Sequence, residues 1–313
     1  MRATIDYGID LGTTNSAIAR QDGLTTEVLD GGDGLLTPSV VHVDAEGVPQ
    51  VGVRALERRS SDPANTATEF KRLMGTANLI AFPASGHSLS PVQLSAEVLK
   101  HLLMRARRCE GDDVEAAVIT VPAMFQLPQC EATRQAAELS GLKYAPLLQE
   151  PIAAAIASVG SAELREGNWL IYDLGGGTFD VSLVRARAGR LTVLDHDGDN
   201  HLGGKDFDRI LARHAADMVR SAPGGEVFRR TDTSLAPAFE RLRVEAERVR
   251  MALSDKEQEE FNVEQLAERN GDGGWLSVRF TLQRAELETL IGPTISRTVA
   301  LCRQMLGRYG LRP

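Results

Sequence analysis

The stretch YGIDLGTTNSAIA (residues 7–19) and its near copy IYDLGGGTFDVSLV (residues 171–184) decide how the chain is read. In each, a hydrophobic strand stops at Asp-Leu-Gly, a small polar turn follows, and a second apolar run begins. Asp10-Leu11-Gly12-Thr13-Thr14 matches Asp173-Leu174-Gly175-Gly176-Gly177-Thr178 at a separation of 163 residues. That distance is far too long for a solenoid repeat. It predicts two related lobes, residues 1–165 and 166–313, each offering one strand–turn–strand.

Glycine lets backbone approach a ligand closely and adopt positive φ, so successive N–H groups can converge on a phosphate. Threonine adds a hydroxyl donor. An aspartate beside a phosphate cradle repels it unless a cation lies between. The residues therefore suggest a Mg²⁺–nucleotide site, with Asp10 and Asp173 holding the ion through its water shell. The competing reading is a pair of ordinary hairpins with Asp and Gly as turn residues. The shared Asp-Leu-Gly register argues for the first.

The 313 residues suffice for two domains with real cores, and 42% apolar with 25% charged residues is the composition of a soluble globular chain. A net charge of −8 argues against a broad nucleic-acid face. Cys109, Cys130 and Cys302 are odd in number and far apart, which does not suggest a disulfide framework. No basic and apolar leader opens the chain, and no apolar run approaches the ~20 residues of a membrane span. The expected setting is the reducing cytoplasm, with no membrane partner.

Strands are predicted at TIDYGID, SAIAR, PSVVHV, AAVITV, WLIYD, FDVSLV and LTVLD. Helices are predicted over 90–108 (Ser90 as N-cap, Pro91 at N1), 130–141 (ended by Gly141), 151–159, 206–221, 235–254 and 284–306. The class is mixed α/β, with helices packed on sheets.

Glu150 precedes Pro151 at a helix start. It reads first as a helix cap and second as a cleft carboxylate that orients Mg²⁺ waters or an attacking water. Lys71 and Arg72 in TEFKRLMG look like a solvated surface pair. Gly203 and Gly204 either approach a ligand or form the loop into a helix. Glu247, Arg250 and Ser254 lie three and four apart on one helix face, where a salt bridge with a terminal serine is the plain reading.

The strings GIDLGTTNS, VITVPAMF, QEPIAAA, YDLGGGTFDVS, GDNHLGGKDFD and EAERVRMALS, in this order, give the chain a family resemblance. It resembles the nucleotide-binding domain of the seventy-kilodalton heat-shock chaperones, in the actin-like ATPase superfamily. The resemblance implies a bilobal, ribonuclease H-like fold around a nucleotide cleft, with ATP/ADP and Mg²⁺ as ligands. It implies that Asp10, Asp173 and Asp180 line the Mg²⁺ site, mostly through water. Gly12, Thr13, Thr14, Asn15, Gly176, Gly177 and Thr178 would bind phosphates, and Lys71 would place an ammonium on the γ-phosphate. Glu150, with Thr178 and Asp180, would position the lytic water. Glu247, Arg250 and Ser254 would hold the adenosine, with Gly203 and Gly204 flanking the nucleotide. The family usually has Lys where Arg250 stands.

The departures concern communication. Cys130 stands where the family has a relay arginine, and Pro146 where it has a basic residue used in J-domain coupling. Gln149, Ile152 and Lys205 also differ, and the segment between Gly75 and Ser90 is short. The family pattern continues past residue 313 with a further strand, a second Gly-Gly motif and a closing helix, so the second lobe is expected to be incomplete and no peptide-binding domain is expected. The leading expectation is the ATPase domain of a divergent chaperone, with low turnover and a nucleotide-exchange or co-chaperone partner, J-domain coupling being doubtful. The alternatives are a nucleotide-gated interaction module with negligible turnover and, behind it, a small-molecule kinase of the same superfamily.

Overall fold

Both copies of the Asp-Leu-Gly string form the turn of an antiparallel hairpin. The computed structural model describes residues 5–23, 25–32, 34–111, 113–159, 165–229, 231–268 and 274–312. It divides into two compact units: Met1–Asn200 with Cys302–Pro313, and His201–Leu301.

In the first unit, β1 (Tyr7–Asp10) and β2 (Asn15–Asp22) make the first hairpin, followed by β3 (Thr25–Val28) and β4 (Thr37–Pro38). Then come β5 (Val40–Val43), β6 (Pro49–Val51), α1 (Val53–Arg58) and β7 (Thr66–Thr68). A 3₁₀ turn, Phe70–Leu73, precedes the small hairpin of β8 (Ile80–Phe82) and β9 (His87–Leu89). The rest is α2 (Pro91–Glu110), β10 (Val118–Val121), α3 (Leu127–Ser140), β11 (Leu147–Gln149), α4 (Glu150–Val159), β12 (Gly167–Leu174), β13 (Phe179–Arg187) and β14 (Arg190–Asp199).

The main sheet runs β11-β10-β1-β2-β3, with β4 also on β2. β1, β10 and β11 are mutually parallel in sequence of pairing, and β1–β2–β3 is antiparallel. Its alternating inward residues, Ile9, Ile18 and Ile119, meet Leu94, Val98, Leu99 and Leu102 of α2 and Ala132 and Ala136 of α3 in one core. The second hairpin belongs to a separate antiparallel sheet, β12-β13-β14.

Local chemistry sets the helix ends. Ser90 caps α2 by accepting from the Gln93 N–H at 3.2 Å, while Gln93 Oε1 accepts from the Ser90 N–H at 2.9 Å. Gly111 ends that helix at φ 80°, and Gly141 ends α3 at φ 100°. α3 begins three residues before the expected Cys130, because Gln129 Oε1 accepts from the Gln126 N–H at 3.0 Å and Pro128 fits the first turn.

In the second unit, α5 (Gly204–Ser221) and α6 (Ala236–Ala252) pack on the hairpin of β15 (Gln258–Glu268) and β16 (Trp275–Gln283). α7 (Arg284–Arg308) follows, and its residues from Cys302 onward belong to the first unit. Leu211, Ala215, Leu242, Ala246, Val249, Phe261, Val278 and Leu282 share the core. The β15–β16 hairpin has no counterpart in the sequence expectations. Its first strand, QEEFNVEQLAE, is rich in helix formers. Cross-strand pairs such as Phe261↔Phe280 and Val263↔Val278 override that propensity.

Arginine also enters the core of the first unit. Arg105 of α2 is 1% exposed, and its Nη1 donates to the carbonyls of Leu29, Gly34 and Leu35 at 3.3, 2.8 and 3.2 Å. It fastens the glycine-rich loop between β3 and β4. Replacing it with methionine keeps the apolar stem and strands those carbonyls, so Arg105→Met should lower unfolding free energy by about 2 kcal/mol. Urea denaturation followed on the first unit's transition checks this, and an unchanged midpoint would show that water replaces the guanidinium at no cost.

Candidate functional site

The first turn, residues 11–14, is braced by two serines. Ser16 Oγ accepts from the Gly12 N–H at 3.1 Å and lies 2.9 Å from Ser39 Oγ, and Ser39 Oγ donates to the Gly12 carbonyl at 2.8 Å. A β-carbon at Gly12 would strike the Asn15 carbonyl oxygen. In the second turn the Gly175 N–H donates to the Thr178 carbonyl at 2.9 Å. A β-carbon at Gly176 would strike the Thr14 side chain. Neither Gly12 nor Gly176 has positive φ. These glycines serve close approach, and the left-handed freedom allowed for in the sequence reading is not used at either position.

Thr14 and Gly176 thus bring the two turns together. Thr14 Oγ1 is buried there with no hydrogen-bond partner among the described residues. An orphaned hydroxyl between two glycine turns is the kind of group a bound anion would satisfy.

The carboxylates gather beside these turns. Asp10 ends β1, and its Oδ1 accepts from Thr120 Oγ1 of β10 at 2.8 Å. Asp173 and Asp180 sit directly opposite each other on β12 and β13. Like charges in that position repel. Burial, with the charges of Glu150 and Asp173, pushes the Asp180 carboxyl up to about 6, and Lys71 partly offsets this. Burial and Asp10 raise Asp173, and burial raises Glu150 against the opposing pull of Lys71. A cavity of about 250 Å³ is lined by Glu150, Asp173, Asp180, Ser182, Tyr172 and Pro151, among others.

Lys71 is the cation in this set. It is 7% exposed, on the 3₁₀ turn, and its Nζ lies 2.8 Å from Glu150 Oε1. The Phe125 ring lies 5.6 Å from the same ammonium. The solvated-pair reading of Lys71 is therefore corrected by burial. Glu150 heads α4 as expected, yet its carboxylate is engaged by Lys71. One lysine among Asp10, Glu150, Asp173 and Asp180 leaves an excess of negative charge that suits a divalent cation. Among the described residues no three His, Cys, Asp or Glu side chains converge closely enough to ligate an ion directly.

The other predicted residues lie in the second unit. Gly203 is the extended N-cap of α5, its N–H donating to Asp206 Oδ2 at 3.0 Å, and Gly204 is the first helical residue. Glu247 and Arg250 are on α6, while Ser254 falls just past the helix end at Ala252. Arg250 Nε donates to Asp208 Oδ1 at 2.6 Å, and Asp208 is fully buried. Arg250 thus makes an ion pair across to α5.

Sequence reading missed Thr120, Ser39, Phe125 and Asp208. Thr120 alone had a usable signal: it follows Ile119 in a strand whose register with β1 carries it to Asp10. The other three are set by packing.

The Hsp70 protein family model matches residues 6–79 and 77–312. The chain belongs to the Hsp70 family. It is similar to the chaperone protein HscA homologs of Bordetella petrii, 39% identical over 97% of this chain, and Bordetella pertussis, 40% identical over 97%. It is also 39% identical over 96% of its length to the chaperone protein HscA of Photorhabdus laumondii. This Hsp70-family chain spans about half the length of those curated relatives, 49%, 49% and 48%. No helix among its described residues is long and apolar enough to cross a membrane, and all three cysteines are free.

The raised Asp180 carboxyl carries a sign for stability. Its folded value, about 6, exceeds the ordinary 3.8, so the folded state holds the proton more tightly and stability falls as pH rises through that interval. Asp180→Asn removes the penalty. Without ligand, the variant should melt about 2–4 °C higher than wild type at pH 7.5, and the difference should shrink toward pH 5. Calorimetric melting at the two pH values decides it, and a constant difference would assign the effect to something other than charge.

Proposed function

We propose that this chain is the Mg²⁺-dependent ATP-binding and ATP-hydrolysing domain of a divergent Hsp70-type chaperone. Residues 1–165 and 166–313 would be its two actin-like lobes, and the cytoplasm its setting. The observation that carries the reading is the buried Lys71–Glu150 pair beside three aspartates and two abutting glycine turns.

In this reading Gly12, Thr13, Thr14, Asn15, Gly176, Gly177 and Thr178 bind phosphates through N–H and hydroxyl donors. Asp10, Asp173 and Asp180 hold the waters of Mg²⁺, which when bound offsets phosphate charge. Lys71 donates to the γ-phosphate as charge moves onto it, and Glu150, with Thr178 and Asp180, accepts from and orients the attacking water. Glu247, Arg250 and Ser254 recognise adenosine, with Gly203 and Gly204 beside the nucleotide. Arg250 keeps the charge of the usual lysine and adds a flat surface for the base, while Asp208 fixes its direction.

A second reading, a nucleotide-gated interaction module with negligible turnover, is favoured by Cys130 and Pro146 at the positions the resemblance links to partner coupling. Turnover would be low in either case, and an exchange factor or co-chaperone would be the partner.

Loss of one preorganised charged donor costs on the order of 10²–10³ in rate. Lys71→Ala should show that loss in single-turnover hydrolysis while calorimetric binding of Mg-ADP stays near wild type. An unchanged rate would remove Lys71 from the chemistry, and a wild-type chain that binds Mg-ATP without releasing phosphate would support the gated module.

A further inference from the structure

Lys71 has a charged neighbour that the proposed mechanism leaves unused. Arg72 lies on the same 3₁₀ turn but points elsewhere: Lys71 reaches Glu150, and the Arg72 Nη2 donates to the carbonyl of Gly177 in the second glycine turn. A β-carbon at Gly177 would strike that same Nη2. At its other end the guanidinium is gripped by Glu69, with Nη1 2.6 Å from Oε2. Glu69 is itself held at φ 59°, a left-handed conformation that a non-glycine residue adopts at a cost of roughly 1 kcal/mol or more. The Arg72 Nε is buried and makes no hydrogen bond among the described residues.

These features describe a brace. Glu69 aims the guanidinium, and the guanidinium takes hold of a backbone carbonyl. The peptide plane whose oxygen Arg72 holds runs from the Gly177 carbonyl to the Thr178 nitrogen, so this hold sets the direction of the Thr178 N–H and restrains the turn that carries the Gly176 and Gly177 N–H groups. The N–H groups of Gly176 and Gly177 make no hydrogen bond to other described residues, so they remain available to an acceptor. The positive charge of Arg72 also stands beside the turn.

We propose that Arg72 is a positioning residue for phosphate binding: by fixing the Gly177 carbonyl, it presents the N–H groups of the second turn to the nucleotide phosphates. The inference rests on the nucleotide reading above. It divides labour within one short turn. Lys71 acts on rate, Arg72 acts on affinity. Gly177 is glycine because the brace occupies the space a side chain would need.

The test uses the whole chain and the variants Arg72→Ala and Arg72→Lys. Arg72→Ala should weaken Mg-ADP and Mg-ATP binding on the order of tenfold, the value of one charge-assisted contact. Its single-turnover rate at saturating ATP should stay within about threefold of wild type, the opposite split from Lys71→Ala. Arg72→Lys should fall between, because one ammonium cannot hold both Glu69 and the Gly177 carbonyl. Nucleotide affinity unchanged in Arg72→Ala, or a saturated rate that falls as far as in Lys71→Ala, overturns the assignment. A wild-type chain that binds neither nucleotide defeats the nucleotide reading instead. The brace is then judged on the ligand-free protein by hydrogen exchange: amides of residues 175–178 should exchange severalfold faster in Arg72→Ala, and equal exchange rejects it.

Discussion

One ammonium stands among four carboxylates. Lys71 is buried, paired with Glu150, and shares its surroundings with Asp10, Asp173 and Asp180. A buried lysine without a partner would shed its proton, and carboxylates this close without a cation resist ionisation. The pair resolves part of the conflict and leaves the rest as an acidic excess, visible in the raised Asp180 carboxyl. Such an arrangement is costly for stability alone. It is the arrangement expected where a divalent cation and an anionic ligand complete the charge balance.

The first unit is organised to hold that set. Asp10 is delivered by β1 and fastened by Thr120 on the neighbouring parallel strand. Asp173 and Asp180 come from opposite strands of one hairpin. Lys71 and Arg72 come from a turn too short to be a scaffold by itself, and Met74, buried just after it, anchors that turn in the core with Phe70. Arg105 does similar work at a distance, closing a glycine-rich loop over the sheet by its carbonyls. Much of the unit's polar bonding thus goes into fixing backbone where side chains must stay out.

The second unit has its own logic. Asp208, fully buried on α5, needs a counter-charge, and Arg250 of α6 supplies it. A lysine there could meet one carboxylate oxygen, whereas the guanidinium spans both, at 2.6 and 3.4 Å. The arginine that the family resemblance assigns to adenosine is therefore also a structural tie between two helices.

Most of the plan was legible in the sequence because it is written in local terms. Period-two apolar runs bounded by glycine gave the strands around Asp10 and Asp173, and Ser90 and Gly141 mark helix ends by chemistry that needs only near neighbours. The repeated Asp-Leu-Gly register alone was enough to pair the two turns as a candidate site. Tertiary structure decided the rest. That Lys71 is buried and Arg72 braces Gly177 depends on residues 79 and 105 positions away. That QEEFNVEQLAE is a strand depends on its partner across the hairpin. That Arg250 meets Asp208 depends on two helices packing side by side. Burial and long-range pairing change the energy of a charge or a backbone conformation by more than local preference does, and neither can be read from neighbours along the chain.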